Sequence, residues 1–219
     1  MKKGLYIVFE GVVGSGKTTQ AKLLVENLRK NYPKRKVVLT HEPGGSEIAD
    51  SIRRLVQGTT FGEEMEPMCE TYLYAASRAQ TLRRVVKPVL DSAGIVIADR
   101  SYLSSIANQG SGGGMSHSVV MKVNQSAIGG ITPDVVFFFD IDPSIGLRRI
   151  GQRDGDKFET RGVEYHEKVR KGYLVAAKNF PRKWVTVKAD CPVEVIQTRI
   201  YSKVTRLLGR SVRHKVRKA

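Results

Sequence analysis

The 219-residue chain has the length and the hydrophobic content (41%) of a single α/β domain that can bury a full core. No uninterrupted apolar run exceeds five residues, whereas a transmembrane helix needs roughly 20, so we expect no membrane span. Cys69 and Cys191 lack metal-ligand spacing, which fits reduced thiols in a cytoplasmic protein. The formal net charge of +16 suits either a nucleic-acid-binding surface or an enzyme with polyanionic substrates.

The chain ends in a basic segment. Five cations and no acid lie in the last ten residues, 210–219. Because apolar periodicity stops at Leu208, we expect one domain over residues 1–209, followed by a basic tail that is frayed and solvated. Two polyanionic substrates would account for the remaining positive charge, and nucleic acid is not the partner that we expect.

Short apolar runs alternate with amphipathic segments along the chain. This pattern is typical of a parallel sheet covered by helices. It predicts strands at residues 5–9, 37–40, 95–98, 135–139 and 184–187. No internal repeat or linker interrupts the alternation, so one domain is the simplest interpretation.

Helices are predicted between these strands from apolar faces and end signals. The first begins at about Lys17, and the second ends at Gly58. A third begins near Pro67 and must kink or end before Pro88, because proline removes a helical hydrogen bond. Asp142, followed by proline, provides the N-cap of a helix after the fourth strand. The last helix has an apolar stripe formed by Val193, Ile196, Ile200, Val204 and Leu207.

The segment GVVGSGKTT, residues 11–19, lies between the first predicted strand and the first helix. It matches the P-loop pattern G-x-x-x-x-G-K-[ST], in which backbone N–H groups and a helix N-terminus bind phosphate. We expect Lys17 to reach the β- and γ-phosphates of ATP, and the Thr18 hydroxyl to bind Mg²⁺. The predicted ATP-binding residues are Gly11, Val12, Val13, Gly14, Ser15, Gly16, Lys17, Thr18 and Thr19.

A P-loop occurs in several classes of nucleotide-binding protein. The chain lacks the N-K-x-D guanine motif of GTPases and the L-S-G-G-Q signature of transporter ATPases. It is also too short for a motor protein with its substrate domains. A small P-loop phosphotransferase is the class that remains.

Charged residues close the third and fourth predicted strands. Asp99 stands where an acid can hold the Mg²⁺ shell, and Arg100 can face an anionic acceptor. Asp140 ends the fourth strand in the same way and is the alternative metal residue.

A basic segment at residues 148–161 surrounds two glycines, Gly151 and Gly155. We interpret it as a lid that closes arginines over the transferring phosphoryl group; a solvated basic loop is the alternative. If the acceptor is a phosphate monoester, its second pKa near 6 makes a general base unnecessary, and cations are what the reaction needs. The cations of this segment are Arg148, Arg149, Arg153, Lys157 and Arg161.

Longer motifs accompany the P-loop: HEPGGSEIADSIRRLV, LYAASRAQTLRRVVKPVL, DRSYLSSIANQGSGGG and PDVVFFFDIDPSIGLRR. With them, the sequence from about residue 3 to residue 208 resembles the thymidylate kinases, specifically the bacterial type with lid arginines. The resemblance implies a P-loop NTPase fold, with a five-stranded parallel sheet flanked by helices on both faces, and a homodimer. It also implies Mg²⁺-dependent transfer of the γ-phosphoryl group of ATP to dTMP.

The resemblance also implies roles for individual residues. Tyr74 would stack on the thymine ring and Arg78 would bind its carbonyl edge, although a core aromatic and a helix-surface charge are the alternatives. The implied acceptor-binding residues are Glu42, Pro43, Tyr74, Arg78, Arg100, Ser104, Ser105, Asn108 and Gln109. The implied catalytic residues are Lys17, Arg100, Arg149 and Arg153, and the implied metal residues are Thr18 and Asp99.

The chain departs from the family pattern at three positions. Val13 stands where an acid usually meets the 3′-hydroxyl of the acceptor, and His41 replaces an arginine before Glu-Pro-Gly-Gly. Asn108 stands where a tyrosine often crowds the 2′ position of the sugar. Two alternatives therefore remain open. One is a kinase for another nucleoside monophosphate or a deoxynucleoside, and the other is a catalytically weak regulator that binds nucleotides or nucleic acid.

Overall fold

A parallel β-sheet forms the centre of the protein. The computed structural model describes residues 4–58, 61–151, 161–179 and 183–216, with side chains as far as Gly209. In the described residues the sheet has five strands in the order β2-β3-β1-β4-β5, every neighbouring pair parallel. The strands are β1 (Leu5–Glu10), β2 (Val37–His41), β3 (Ile95–Asp99), β4 (Val135–Asp140) and β5 (Trp184–Lys188).

The predicted strands are confirmed, and each continues for one residue beyond the apolar run that predicted it. The added residues are Glu10, His41, Asp99, Asp140 and Lys188. Because parallel strands run in the same direction, these polar residues share the carboxyl edge of the sheet. In α/β proteins that edge is where ligands bind.

Helices connect the strands and flank the sheet on both faces. They are α1 (Lys17–Asn31), α2 (Glu47–Gln57), α3 (Pro67–Thr81), α4 (Lys87–Asp91), α5 (Tyr102–Ser105), α6 (His117–Ile128), α7 (Pro143–Ile150), α8 (Val163–Asn179) and α9 (Val193–Val216). Two π-helical turns, at Leu82–Val86 and Ile106–Gly112, follow α3 and α5. Among the described helices, none combines the length and the apolar character that crossing a membrane requires.

The helix predictions are confirmed with three differences. The α-helical pattern of α3 ends before Pro88 as predicted, but the chain remains helical because a π-helical turn precedes Pro88 at the start of α4. In α9, Val193 is 42% exposed and Leu208 is buried, so the predicted apolar stripe begins one turn too early. The backbone of α9 also continues to Val216, into the segment that we expected to be frayed.

The hydrophobic core lies along β1, β3 and β4. Ile7, Phe9, Ile97 and Phe137 are fully buried there, and the rings of Phe9 and Phe137 meet edge to face with centroids 5.5 Å apart. Helix α1 packs on β1, β2 and β3 and against α9, while α8 packs on β4 and β5. This packing fixes the positions of the strand ends, and therefore of the polar residues that follow the strands.

Candidate active site

A cleft of about 1110 Å³ opens at the carboxyl edge of the sheet. Residues 12–19 of the P-loop line one part of it, and all nine predicted acceptor-binding residues line another. Arg149 also lines the cleft, whereas Arg153 and Lys157 lie outside the described residues. The structure therefore brings the predicted donor and acceptor residues into one continuous space.

The P-loop wraps around the ammonium group of Lys17. The Lys17 Nζ atom donates to the Val12 carbonyl oxygen at 2.7 Å and to Ser15 Oγ at 3.1 Å. Ser15 Oγ in turn donates to the same carbonyl at 2.8 Å. Gly16 adopts a φ of 87° at the N-cap of α1, a conformation that favours glycine. A concave backbone, a helix N-terminus and a buried cation are the features that can hold a polyphosphate.

Asp99 lies beside the start of α1, where a metal-bound nucleotide would be held. The hydroxyl of Thr18 donates a hydrogen bond to Asp99 Oδ2, and Asp99 Oδ1 is buried with no hydrogen-bond partner among the described residues. Among the described residues, no group of three or more His, Cys, Asp and Glu side chains could hold a metal ion. One carboxylate and one hydroxyl fit Mg²⁺, which usually keeps several waters and binds substrate phosphates as well.

The alternative metal residue, Asp140, has a different environment. Its Oδ1 atom accepts a hydrogen bond from Arg170 Nε at 2.6 Å, and this ion pair joins the end of β4 to α8. Asp140 is not among the described residues that line the cleft. Of the two acids, Asp99 is the one that faces the P-loop.

Arg100 lies between the P-loop and the acceptor side of the cleft. Its NH1 group donates to the Gly11 carbonyl oxygen at 3.2 Å and to Ser104 Oγ at 3.3 Å. The backbone φ of Arg100 is 77°, in a region that residues other than glycine adopt only when their surroundings hold them there. A guanidinium group in this place can contact anions on both sides.

On the acceptor side, Arg78 is held by a buried network. Its Nε atom donates to Glu42 Oε2 at 2.6 Å, NH1 donates to the Asn124 side-chain oxygen, and NH2 donates to Ser105 Oγ at 3.3 Å. Burial raises the pKa of Glu42, and the charge of Arg78 opposes that rise. Arg78 is only 2% exposed, so the alternative of a helix-surface charge is wrong.

Tyr74 is buried at the cleft wall, where it packs in a small cluster with Val56. This position is compatible both with a core aromatic and with a ring that stacks on a base. Further along the wall, Asn108 Nδ2 donates to the Ser104 carbonyl oxygen at 2.8 Å, and Gln109 Nε2 donates to Glu70 Oε1 at 2.7 Å. These bonds fix two predicted acceptor residues on the π-helical turn that follows α5.

Helix α7 joins the P-loop to the predicted lid. A Cβ atom added to Gly146 would overlap the Val13 carbonyl oxygen, and one added to Gly14 would overlap the Gly146 carbonyl oxygen. The two backbones are therefore in direct contact. At the end of α7, Arg149 donates from NH1 to the Ala189 carbonyl oxygen at 3.1 Å. Of the lid cations, Arg161 lies over the Tyr165 ring, 4.5 Å from its centroid.

Comparison with known proteins identifies the family. The sequence model of the thymidylate kinases matches residues 9–200. The chain belongs to the thymidylate kinase family. The thymidylate kinase of Exiguobacterium sp. strain AT1b is 39% identical over 199 residues, which cover 90% of this chain and 92% of that protein. The thymidylate kinase of Deinococcus radiodurans is 35% identical over 206 residues, covering 94% and 98%.

A solved structure agrees with this assignment. The crystal structure of the thymidylate kinase from Ehrlichia chaffeensis matches with a TM-score of 0.76 and 29% sequence identity. The match covers 93% of this chain and 99% of that one. The likeness extends over the whole fold, beyond the P-loop that many nucleotide-binding proteins share.

The three departures from the thymidylate kinase pattern all lie on the cleft wall. Val13 is buried there. The Nδ1 atom of His41 lies 2.9 Å from the Pro43 carbonyl oxygen, and its Nε2 atom lies 3.8 Å from Asp50 Oδ1. Asn108 Oδ1 accepts a hydrogen bond from the Tyr165 hydroxyl at 3.3 Å. These residues therefore line the same cleft as the predicted acceptor-binding residues.

The sequence interpretation missed several residues that line or support the cleft. Arg53 and Gln57 reach it from α2, and His166 reaches it from α8. Arg53 NH1 donates to the Pro43 carbonyl oxygen at 3.0 Å, so it supports the turn after β2. Arg53 and Gln57 are four positions apart, so both lie on one face of α2. The prediction of this helix used only its apolar face and therefore did not include them.

Proposed function

We propose that this protein transfers the γ-phosphoryl group of ATP to dTMP, giving dTDP and ADP, with Mg²⁺ as cofactor. The observation that carries the proposal is the single cleft in which the P-loop faces the acceptor residues, with Arg100 between them. Membership of the thymidylate kinase family supports the choice of acceptor. In the cell the reaction would serve dTTP synthesis in the cytoplasm.

The residues of the chain would bind and orient two anionic nucleotides. Backbone N–H groups of the P-loop and Lys17 would hold the donor phosphates. Arg100 would hold the acceptor phosphate in line with them, which lowers the cost of bringing reactants together. Thr18 and Asp99 would hold Mg²⁺, whose charge offsets that of the phosphates when it is bound. The acceptor phosphate is already an oxyanion at pH 7, so no side chain has to act as its base.

Recognition of the base would depend on Arg78 and Tyr74. Because Glu42 and Ser105 hold the guanidinium group in place, Arg78 can present a fixed donor to a pyrimidine carbonyl. Tyr74 would stack on the ring. Arg149 and Arg153 would bring further positive charge to the transferring phosphoryl group when the lid closes.

An acceptor panel tests this function. A coupled assay of ADP release would compare dTMP, dUMP, dCMP, UMP and thymidine at equal concentrations. We expect the highest kcat/KM with dTMP. Val13 and Asn108 favour the second candidate, a kinase for a different nucleoside monophosphate or a deoxynucleoside, and any acceptor that outranks dTMP would establish it. ATP turnover absent with every acceptor, together with salt-dependent DNA binding, would instead support a nucleotide-binding regulator.

We also propose that the protein acts as a homodimer. Helix α3 packs against both α2 and α6, and these helices expose large apolar side chains at Ile48, Leu55, Tyr72 and Met121. Apolar side chains exposed on adjacent helices are typical of an interface between subunits. Sedimentation equilibrium at micromolar concentration would give twice the 24.3 kDa chain mass; a monomer would contradict the proposal.

A further inference from the structure

Glu10 is a buried carboxylate that the proposed chemistry does not use. It is the last residue of β1, immediately before the P-loop, and its side chain is 0% exposed. Three hydroxyl groups donate to it: Ser101 Oγ to Oε1 at 2.7 Å, Ser104 Oγ to Oε2 at 2.6 Å, and the Tyr173 hydroxyl to Oε2 at 2.9 Å. Burying a charge costs free energy unless hydrogen bonds compensate for the lost water. A carboxylate with three such donors therefore points to a role in the site.

Two of the donors belong to the segment that carries Arg100. Ser101 follows Arg100 directly in the chain, and Ser104 Oγ accepts a hydrogen bond from Arg100 NH1 while donating to Glu10. The third donor, Tyr173, comes from α8, the helix that follows the predicted lid. Glu10 therefore joins the P-loop strand, the acceptor-side arginine and the helix after the lid.

The backbone at Arg100 explains why this segment needs support. With a φ of 77° its conformation is strained for a residue that carries a Cβ atom. The Arg100 N–H group donates to the Phe9 carbonyl oxygen at 2.9 Å, and the Ser101 side chain bonds to Glu10 on the next residue of the same strand. The turn is thus held to β1 at two consecutive residues.

We propose that Glu10 is the positioning residue for Arg100. Its carboxylate holds the turn at Arg100 and Ser101, together with Ser104, so that the guanidinium group faces the acceptor phosphate. This inference rests on the proposed role of Arg100. The electrostatics agree with it: burial raises the pKa of Glu10, whereas the hydrogen bond from Ser104 and the charge of Arg100 lower it.

The test is a double-mutant cycle on dTMP binding. Glu10→Gln keeps the shape of the side chain, but its amide nitrogen cannot accept a hydrogen bond. We expect it to raise the Kd for dTMP, measured by titration calorimetry, by about tenfold, and to leave the Kd for ATP within about twofold. In an Arg100→Ala background, Glu10→Gln should change the Kd for dTMP by less than about twofold, because the residue through which it acts is gone.

Two further variants keep the test decisive. Asp134→Asn is the matched control, since Asp134 Oδ2 accepts from the Tyr6 N–H group near the other end of the same strand, at 2.9 Å. It should lower the melting temperature without changing the Kd for dTMP. If Glu10→Gln does not fold, Tyr173→Phe removes one donor and should raise the Kd for dTMP in the same Arg100-dependent way.

The outcomes separate this inference from the proposed function. Equal effects of Glu10→Gln with and without Arg100, or no effect on dTMP binding, would overturn the positioning role. Failure of the wild-type protein to phosphorylate dTMP would overturn the function instead. In that case the same cycle, run with the acceptor that the panel identifies, decides the role of Glu10.

Discussion

The ammonium group of Lys17 bonds to acceptors that belong to the P-loop itself, the Val12 carbonyl oxygen and Ser15 Oγ. Phosphate oxygens can replace such acceptors when a nucleotide binds. We expect Lys17→Ala to lower kcat by roughly 100-fold or more, because a cation at the developing charge is lost. Its melting temperature, followed by circular dichroism, should stay within a few degrees of the wild type. Loss of the folded state would show that Lys17 supports the core instead.

We expect Val13 to affect selectivity for the acceptor rather than catalysis. Thymidylate kinases usually carry an acid here that meets the 3′-hydroxyl of the acceptor, and valine lacks a group to accept that bond. We expect Val13→Asp to lower the KM for dTMP by about 5- to 150-fold, which corresponds to one buried hydrogen bond of about 1–3 kcal/mol. The matched control is the 3′-deoxy analogue of dTMP, whose KM should not fall. An equal gain with both acceptors would rule out the 3′-hydroxyl as the partner.

At the scale of elements, α7 connects the P-loop to the predicted lid. Its residue Gly146 touches the P-loop backbone at Val13 and Gly14, and its last turn carries Arg149 and leads towards the predicted lid. Because the contact is between backbones, with no side chain that could adjust, a small displacement of one element moves the other. The position of Arg149 therefore depends on a contact that only glycine permits.

Gly146→Ala tests this connection. Alanine favours helices over glycine by about 1 kcal/mol, but here its methyl group would overlap the Val13 carbonyl oxygen. We expect kcat to fall by roughly tenfold or more, because both the loop and Arg149 shift from their positions. The matched control is Gly209→Ala, at a helical glycine in α9 where an added Cβ atom would meet no neighbouring atom of the described residues within 4 Å, and it should keep full activity. Wild-type kinetics for Gly146→Ala would show that α7 can move without consequence.

The elements also show what the sequence could and could not predict. Apolar runs predicted all five strands of the described sheet, because a strand that is buried on both faces consists of consecutive apolar residues. The glycine-rich segment after Asp99 gave no helix prediction, yet it forms α5 and a π-helical turn. There, a Cβ atom at Gly110 or Gly112 would lie 2.5 Å from a neighbouring ring. These glycines serve close packing, which local propensity does not reveal.

The site was predictable where a motif fixes the chemistry, and it was missed where the fold alone brings residues together. The P-loop and Arg100 follow patterns that can be read along the chain. Glu10 belongs to no such pattern, and its partner Tyr173 lies 163 positions away. Pairs at such a separation have no common pattern in the sequence, because only the order of the strands makes them neighbours.

At the scale of the whole molecule, positive charge is spread well beyond the cleft. The formal net charge is +16, and both proposed substrates are polyanions, so the overall field should favour their association. The described cations that line the cleft are Lys17, Lys22, Arg53, Arg78, Arg100 and Arg149, all within the first 150 residues. The five cations of residues 210–219 lie at the other end of the chain.

Truncation after Gly209 separates these two contributions. It removes the five cations of the tail and retains the buried residues Val204 and Leu208 of α9, so the domain should fold. We expect kcat and the KM values for ATP and dTMP to stay within about twofold of the full chain at 150 mM salt, because screening limits the reach of a charge to roughly 8 Å and we expect the tail to make no contact with the substrates. At 10 mM salt a charge acts over about 30 Å, so the KM values of the truncated protein should rise above those of the full chain. A loss of activity at high salt would instead place the tail in contact with the cleft.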